Sequence, residues 1–410
     1  MDFFQQIERT DLPRVTHAGL TRDTSPIARG LTPFMRLFRR RLAPLKPLAL
    51  VNGMVVYDLT QPPLESLPFM RIMRTAARYR VLRREARPIS LVLMATAACN
   101  MRCRHCSAER NMRRGTPCLS YEELCDVIDQ FVELGGASVV FSGGEPTLNP
   151  RLLDLVARVP PSKAIAVMFT NGSRIDRTYA DELYSAGMFS VLVSIDSPER
   201  SEHDARRSTE GAFDQAVQAA RYVREAGMLA GISSYMSRPD LLDGGFQRLT
   251  RLAEDVGVHQ LFLFDAVPTG ALLHDTRMVL SPGDRARLRD MVSSYNGLPY
   301  GPGIMGQSWV NSSEGCGCFA GFYQAYLTAD GELTPCDFTP ISFGSVRERP
   351  MLELWRAMRA SPEWGVRFPE CRMQDPAFRR ENIDVIPQGE PLPVRYDRLQ
   401  ELRRAHGRKG

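Results

Sequence analysis

An α/β fold built on a parallel sheet is predicted by three observations. Between Ile89 and about residue 300, short β-rich runs alternate with amphipathic stretches of helical spacing, as strands joined by crossover helices require. The first run, Ile89 to Ala98, is followed at once by Cys99-Asn100-Met101-Arg102-Cys103-Arg104-His105-Cys106. Another, Ala137 to Ser142, is followed by Gly143-Gly144-Glu145-Pro146. Polar and metal-binding residues therefore gather just past strand ends, where ligands collect in β/α folds.

At 410 residues the chain exceeds one typical domain, and its 43% hydrophobic content allows a sizeable core. No apolar run approaches the ~18 residues of a membrane span. The N-terminus, Met1-Asp2-Phe3-Phe4-Gln5-Gln6, lacks the basic-then-apolar form of a signal peptide, so a cytoplasmic location is expected. Nine cysteines in such a chain argue for metal or redox work rather than disulfides. The net charge of +5 is uneven: residues 1–88 hold 16 Lys and Arg against 7 Asp and Glu, and the remainder is net negative.

Residues 1–88 read as a basic N-terminal extension. Phe34 to Leu42 has the look of a short basic helix. Leu48 to Val51 and Met54 to Tyr57 flank Asn52-Gly53, a hairpin with a type I′ turn. Leu67 to Arg84 reads as an amphipathic helix. Phe69, Ile72, Met73, Ala76 and Tyr79 share one face, and Arg71, Arg74 and Arg78 lie opposite. The plain reading is a helix packed on the main domain with solvated arginines; the alternatives are a peripheral membrane contact or an acidic partner.

Residues 89–300 read as the core. Ser120 caps a helix that runs to about Leu134, with Glu123 completing a capping box. Asn149-Pro150 opens a second helix. Ala164 to Thr170 is a strand ending in Asn171-Gly172; Ala180 to Ala186 is helical; Phe189 to Ile195 is a strand. Gly211 to Ala226 is a long helix, Leu229 to Met236 a strand, Leu241 to Val256 a helix and His259 to Asp265 a sixth strand. Asn171, Ser194, Asp196 and Asp265 all fall at strand ends. His203, Arg206 and Arg207 lie in the loop after Asp196, where an arginine could clamp a carboxylate or belong to an exposed charge run. Cys118 and Cys125 read as structural.

Three thiolates at C-x3-C-x2-C spacing leave one coordination position open. They suit a four-iron cluster, or zinc with His105 as fourth ligand. Two glycines after a strand let backbone approach a ligand closely, and a fixed carboxylate such as Glu145 can accept hydrogen bonds from an ammonium group.

Cys99, Cys103 and Cys106 together with Gly143-Gly144-Glu145-Pro146 resemble the radical SAM enzymes, over roughly Ile89 to Asp265. That resemblance implies a partial (β/α)6 TIM-like barrel. It implies a [4Fe-4S] cluster on the three cysteines whose fourth iron binds S-adenosylmethionine (SAM). It also implies that the Gly-Gly-Glu-Pro segment holds the methionine amino group, that His105 lies near the adenine, and that Ser194 and Asp196 contact the ribose or methionyl carboxylate. Asn171 is placed with the cofactor-binding residues, and an electron donor such as flavodoxin or ferredoxin is implied.

Residues 301–410 hold Cys316-Gly317-Cys318, a hairpin around Asp330-Gly331, Cys336 after it, a helix around Met351 to Met358, and Cys371. Cys318-Phe319-Ala320-Gly321, Thr334-Pro335-Cys336 and Gly344-Ser345-Val346 resemble the auxiliary-cluster region called SPASM, or its shortened form, Twitch. With only Cys371 beyond Cys336, the resemblance implies one auxiliary [4Fe-4S] cluster on Cys316, Cys318, Cys336 and Cys371. If Cys316 stays free, one iron is open. A charged helix at Tyr396 to His406 ends the chain.

The implied reaction is reductive cleavage of SAM to a 5′-deoxyadenosyl radical. That radical abstracts a hydrogen atom from a substrate carbon, and the auxiliary cluster takes one electron. A small-molecule or lipid-precursor substrate is expected, because no peptide-binding winged helix can be read at the N-terminus. The alternatives are a peptide-modifying maturase, and a non-catalytic iron–sulfur or zinc scaffold binding nucleic acid or membrane. Nucleic acid is not expected as a partner.

Overall fold

The computed structural model describes residues 12–25, 44–81, 85–109 and 116–407. The expected helix at Phe34 to Leu42 and the last residues of the expected helix at Leu67 to Arg84 lie outside them.

A small sheet comes first. β1 (Arg14–Val15) pairs in parallel with β2 (Ala49–Val51), which forms a hairpin with β3 (Met54–Val56). Asn52 and Gly53 take φ values of 48° and 76°, the two positive angles that a type I′ turn demands. Helix α1 (Leu67–Arg80) follows, its Ser66 cap accepting from the Phe69 N–H. Its arginine face is partly used by the protein. Arg71 donates to the carbonyls of Val132 and Gly136, and Arg74 pairs with Asp23 at 2.8 Å.

The core alternates strands and helices: β4 (Ser90–Met94), α2 (Tyr121–Glu133), β5 (Ser138–Ser142), α3 (Leu152–Arg158), β6 (Ile165–Thr170), α4 (Arg177–Ser185), β7 (Met188–Ser194), α5 (Arg200–Arg207), α6 (Ala212–Glu225), β8 (Leu229–Met236), α7 (Arg238–Leu242), α8 (Gly245–Val256), β9 (Gln260–Asp265) and α9 (Pro282–Asn296). The six strands from β4 to β9 pair in parallel in sequence order. Helix α2 shows why the alternation was readable. Ser120 and Glu123 form the capping box, and Leu124, Val127, Ile128, Phe131 and Val132 are buried on one face. Each such side chain contributes about 1.5–3 kcal/mol on burial.

Two expectations are corrected here. The stretch with His203, Arg206 and Arg207 is not a loop but helix α5, and the helix expected over Leu241 to Val256 is two, because Gly244 turns left-handed (φ 76°) between α7 and α8.

The sheet does not stop at β9. β10 (Gly303–Gly306) adds in parallel to β9, β11 (Gln324–Leu327) adds in parallel to β4, and β12 (Leu333–Thr334) closes a hairpin with β11. The nine-stranded order is therefore β10-β9-β8-β7-β6-β5-β4-β11-β12, an open sheet among the described residues. β13 (Ile341–Ser342) pairs with β14 (Val394–Arg395); helix α10 (Met351–Ala360) packs on β12 and α2, and helix α11 (Tyr396–Gly407) on β13 and β14. The Trp355 indole N–H donates to the Ala86 carbonyl at 2.8 Å, tying α10 to the chain just before β4.

Inside the sheet, the N-terminal ends of the strands carry small or polar residues: Ser90, Ser138, Ser190, Gly231 and Gln260. Bulky branched residues fill the interior of a packed barrel. Here the segment after β3 takes that space. Ser190 Oγ donates to the Leu59 carbonyl at 2.6 Å and Ser138 Oγ to the Thr60 carbonyl at 2.9 Å, and the Leu59 N–H donates to Gln260 Oε1 at 3.1 Å. A Cβ on Gly231 would lie 2.8 Å from Leu59 Cδ1. The N-terminal extension is thus seated in a socket cut for it.

Candidate functional site

A cavity of about 820 Å³ opens from the C-terminal ends of the strands and reaches down to this plug. Cys99, Cys103 and Cys106 line it from the loop after β4, and Cys318, Cys336 and Cys371 from the C-terminal region. Within each trio the thiols are close enough to influence one another's ionisation. Burial pushes Cys103 up to about 11, against the pull of the Arg207 guanidinium, and raises the other five thiols as well. Thiolates bind metal, so loading either trio displaces protons. No three His, Cys, Asp or Glu side chains converge on a single ion among the described residues.

The Gly143-Gly144-Glu145-Pro146 segment sits against the cluster loop. A Cβ on Gly144 would lie 2.2 Å from the Ala98 carbonyl oxygen, and one on Gly143 2.5 Å from that of Thr96. Only glycine allows this approach. Glu145 is 1% exposed, and its carboxylate is pinned by four donors. Oε1 accepts from the Thr147 N–H (3.1 Å) and from the hydroxyls of Thr147 (2.6 Å) and Thr170 (2.7 Å); Oε2 accepts from the Asn171 N–H (2.7 Å). Pro146 begins the short turn Pro146–Leu148 and does not itself line the cavity. The Asn171 amide donates to Asn100 Oδ1 at 2.9 Å, tying β6 to the cysteine loop.

Past β7, Asp196 is the hub of a buried network. Arg207 donates to Asp196 Oδ2 through Nε (2.9 Å) and Nη2 (2.7 Å), His105 Nε2 lies 3.3 Å from the same oxygen, and the Tyr235 N–H donates to Oδ1 at 3.3 Å. Burial alone would raise this carboxyl; the Arg207 guanidinium and then His105 overcome it and hold it well below the usual range. The His105 ring stacks on Tyr235 with centroids 4.8 Å apart. His105 thus has Nε2 at Asp196 and one ring face on Tyr235. His203 is buried neutral, its pKa pushed down to about 4 by burial, and Nδ1 accepts from the Asp196 N–H at 3.2 Å. The exposed charge run is also corrected: Arg207 is buried on Asp196, and Arg206 is held by Asp240 and Glu202. Ser194 pairs its hydroxyl with that of Ser233 at 3.2 Å.

Phenylalanines form part of the cavity wall. Phe169, Phe262, Phe264 and Phe338 line the cavity in a run of ring contacts 4.7–6.4 Å apart. Asp265, at the end of β9, is buried and accepts from the Ser308 N–H at 3.2 Å; burial pushes its carboxyl up to about 6. Asp337 follows Cys336, accepts from the Gln324 amide at 3.2 Å and is pushed up to about 6 by burial. Cys316 is half-buried and lies outside the cavity lining, whereas the other six candidate metal-binding cysteines are in it. Sequence reasoning missed Tyr235, Asp337, the phenylalanine wall and the plug residues. Alternation on β8 and β9 could have signalled Tyr235, Phe262 and Phe264, which sit on the inward side of their strands.

A parallel α/β sheet with two thiol trios on one cavity defines an iron–sulfur enzyme of the α/β class. The sequence profile of the radical SAM superfamily matches residues 93–253, and that of the SPASM iron-sulfur cluster-binding domain matches residues 316–380. The chain belongs to the radical SAM enzymes and carries a SPASM-type domain. It therefore uses SAM, a SAM-binding [4Fe-4S] cluster and auxiliary iron–sulfur chemistry. It is 28% identical over 287 residues to the AdoMet-dependent heme synthase of Nitratidesulfovibrio vulgaris, covering 64% of this chain and 77% of the relative. Similarity to the PqqA peptide cyclase of Streptomyces rochei is 26%, covering 67% and 77%. Among solved structures, Streptococcus suis SuiB bound to precursor peptide SuiA aligns with a TM-score of 0.56 at 17% identity, covering 72% of this chain and 70% of that one. Native anSMEcpe with bound AdoMet aligns at 0.53 and 16%, covering 78% and 97%. At these identities the structural matches speak for the fold alone. No helix of the described residues is long and apolar enough to cross a membrane.

Proposed function

We propose that this enzyme oxidises a small-molecule substrate held between two clusters, one on Cys99, Cys103 and Cys106 and the other on Cys318, Cys336 and Cys371. The observation that carries this reading is that both trios line one cavity. When bound, the SAM-site cluster and SAM supply a one-electron cleavage of a carbon–sulfur bond and a carbon radical able to take a hydrogen atom from an unactivated carbon.

The chain's own residues bind, orient and exclude water. The carbonyls around Gly143 and Gly144 offer acceptors for the methionyl ammonium, and the Glu145 carboxylate, held by its four donors, supplies negative charge beside them. His105, stacked on Tyr235 and fixed by Asp196, offers a flat surface for adenine. Asn171 and Ser194 add hydrogen-bonding groups beside it. The donor set fits: three thiols per cluster, both trios on the lining of one cavity. With Cys316 outside the lining, the auxiliary site has three cysteines, and the remaining position falls to another group or to substrate. Asp265 and Asp337 are carboxyls able to accept a proton as a substrate carbon is oxidised. Phe169, Phe262, Phe264 and Phe338 give the cavity an apolar lining that disfavours water.

A small molecule is favoured over a peptide on space. A ~300–1,000 Å³ pocket encloses one drug-sized ligand; this cavity of about 820 Å³ must also admit SAM and two clusters. The relatives named for heme synthesis accord with that choice. The peptide-cyclase relative keeps a peptide substrate as the second reading.

The test is anaerobic reconstitution with iron counting and an assay for 5′-deoxyadenosine. About eight irons in the wild type, and about four in a Cys99/Cys103/Cys106→Ala variant that makes no 5′-deoxyadenosine, support the assignment. Zinc in place of iron, or intact SAM in the wild type, sinks it.

A further inference from the structure

The cavity floor is made by residues that precede both matched segments. Asp58, Thr60 and Gln61, from the plug after β3, line the same space as the six cysteines. Asp58 lies deep in the fold yet keeps accessible surface, because that surface faces the cavity. Its carboxylate accepts from the Thr60 N–H and hydroxyl, each at 3.0 Å, and is also hydrogen-bonded by the Gln260 side chain. Two oxygens have about four lone-pair sites, so capacity for a ligand remains. The Gln61 side chain makes no hydrogen bond within the protein among the described residues, and its amide both donates and accepts.

Between this floor and the cysteines the wall is mainly apolar, interrupted by Ser90 and Ser233. On β4 the inward positions Ser90, Val92 and Met94 line the cavity, a rise of about 13 Å at ~3.3 Å per residue. Val140, Phe169 and Phe262 face the same stretch. An apolar shaft ending in a carboxylate and an amide selects by shape and by charge. The socket of Ser138, Ser190 and Gln260 fixes the floor through the Leu59 and Thr60 backbone, so Asp58 and Gln61 are held in place before any ligand arrives.

We propose that Asp58 and Gln61 are specificity-determining residues. They bind a polar end group that donates hydrogen bonds, an ammonium or a hydroxyl, on an elongated substrate whose apolar body lies along the shaft and whose reacting carbon lies at the SAM end. A carboxylate end group is rejected by Asp58. Burial raises the Asp58 pKa, opposed by the Thr60 hydrogen bonds, and an ammonium partner would relieve that cost.

This inference rests on the two-cluster reading above, and its test separates the two. Holoenzyme reconstituted with both clusters and SAM is titrated calorimetrically with n-hexylamine, hexanol and hexanoate. Hexylamine and hexanol bind, and hexanoate binds at least about tenfold more weakly than hexylamine, the size of one charge-assisted hydrogen bond. Asp58→Asn weakens hexylamine by about tenfold, and Gln61→Leu weakens hexanol by a smaller factor of about threefold. Gln61 is a half-exposed turn residue, so its variant keeps the test alive should Asp58→Asn fold poorly. Equal affinity for hexanoate, unchanged affinities in Gln61→Leu, or no binding by any probe overturns the inference. The same preparation is counted for iron and assayed for 5′-deoxyadenosine. If those succeed while the probes fail, the floor assignment alone is wrong; if those fail, the two-cluster reading falls.

Discussion

Arg207 meets Asp196 through a 2.7 Å contact in which the two side chains are 8% and 2% exposed. The pair joins the end of β7 to the last turn of α5, and the same carboxylate steadies His105 in the cysteine loop. One ion pair thus fixes a strand end, a helix end and the flat ring beside the thiols.

Removing one partner leaves the other charge buried. Arg207→Met should cost about 3–5 kcal/mol in stability, and Arg207→Lys less, because it keeps charge but loses the two-pronged contact. Denaturant unfolding of the purified variants checks this. A loss under about 1 kcal/mol for Arg207→Met would show that the pair is not the hub described.

The auxiliary trio predicts a contrast between neighbours. Cys318→Ala should lose the auxiliary cluster and drop bound iron from about eight to about four, whereas Cys316→Ala keeps about eight. Equal losses would place Cys316 among the ligands.

Gly144→Ala brings a Cβ to 2.2 Å from the Ala98 carbonyl oxygen, and neither backbone can yield cheaply. We expect a cost of about 1–3 kcal/mol and at least about tenfold weaker SAM binding. Iron in the auxiliary site should be unaffected. Equilibrium binding of SAM by the reconstituted variant reads the effect.

Asp265 makes stability depend on pH. Its folded pKa of about 6 lies above the ordinary value of 3.8, so the folded state holds the proton more tightly. Stability from this group is therefore greatest in acid and falls as pH rises through about 4 to 6, by roughly 2–3 kcal/mol in all. Asp265→Asn carries no such dependence. Thermal midpoints measured from about pH 5 to about pH 8 should show the variant gaining on the wild type up to about pH 7 and then holding a constant lead. A constant difference across the range would refute the raised pKa of this buried carboxyl.

Leu59 is fully buried in the socket, so Leu59→Ala should cost about 2–5 kcal/mol. Limited proteolysis should then release the N-terminal extension before the core is cut. Cleavage elsewhere first would mean that the plug is not the weak point.

Much of this was legible because local pattern and tertiary role agreed. β8 spans Leu229–Met236 as its composition indicates, and α2 carries its own cap and apolar stripe. Helix α5 was not legible, because Arg-Ser-Glu-His-Asp-Ala-Arg-Arg has no apolar stripe; the residues it buries are His203 and Arg207. The hairpin of β11 and β12 was legible around Asp330-Gly331, whereas β10 and the place of β11 in the large sheet were hidden for another reason. Both depend on neighbours far away in sequence, and no local period records that Gln324 will pair with Ser90. The three cysteines and Gly143 to Pro146 stood out because their spacing is itself the chemistry. Asp58 and Gln61 did not, since an acid and an amide after a hairpin look like any turn.

The pairing of β11 with β4 also sets an order of events during synthesis. The strand that leads into the cysteine loop emerges early, yet its outer neighbour at Gln324–Leu327 and the edge strand after it leave the ribosome only after all the other strands of that sheet. Until then β4 presents a bare, apolar edge, the kind of surface that recruits other chains. The active site cannot be walled in before translation is nearly complete, so cluster insertion has an open window that closes when the C-terminal strands dock. A chain truncated near residue 300 should accordingly aggregate rather than survive as a smaller enzyme.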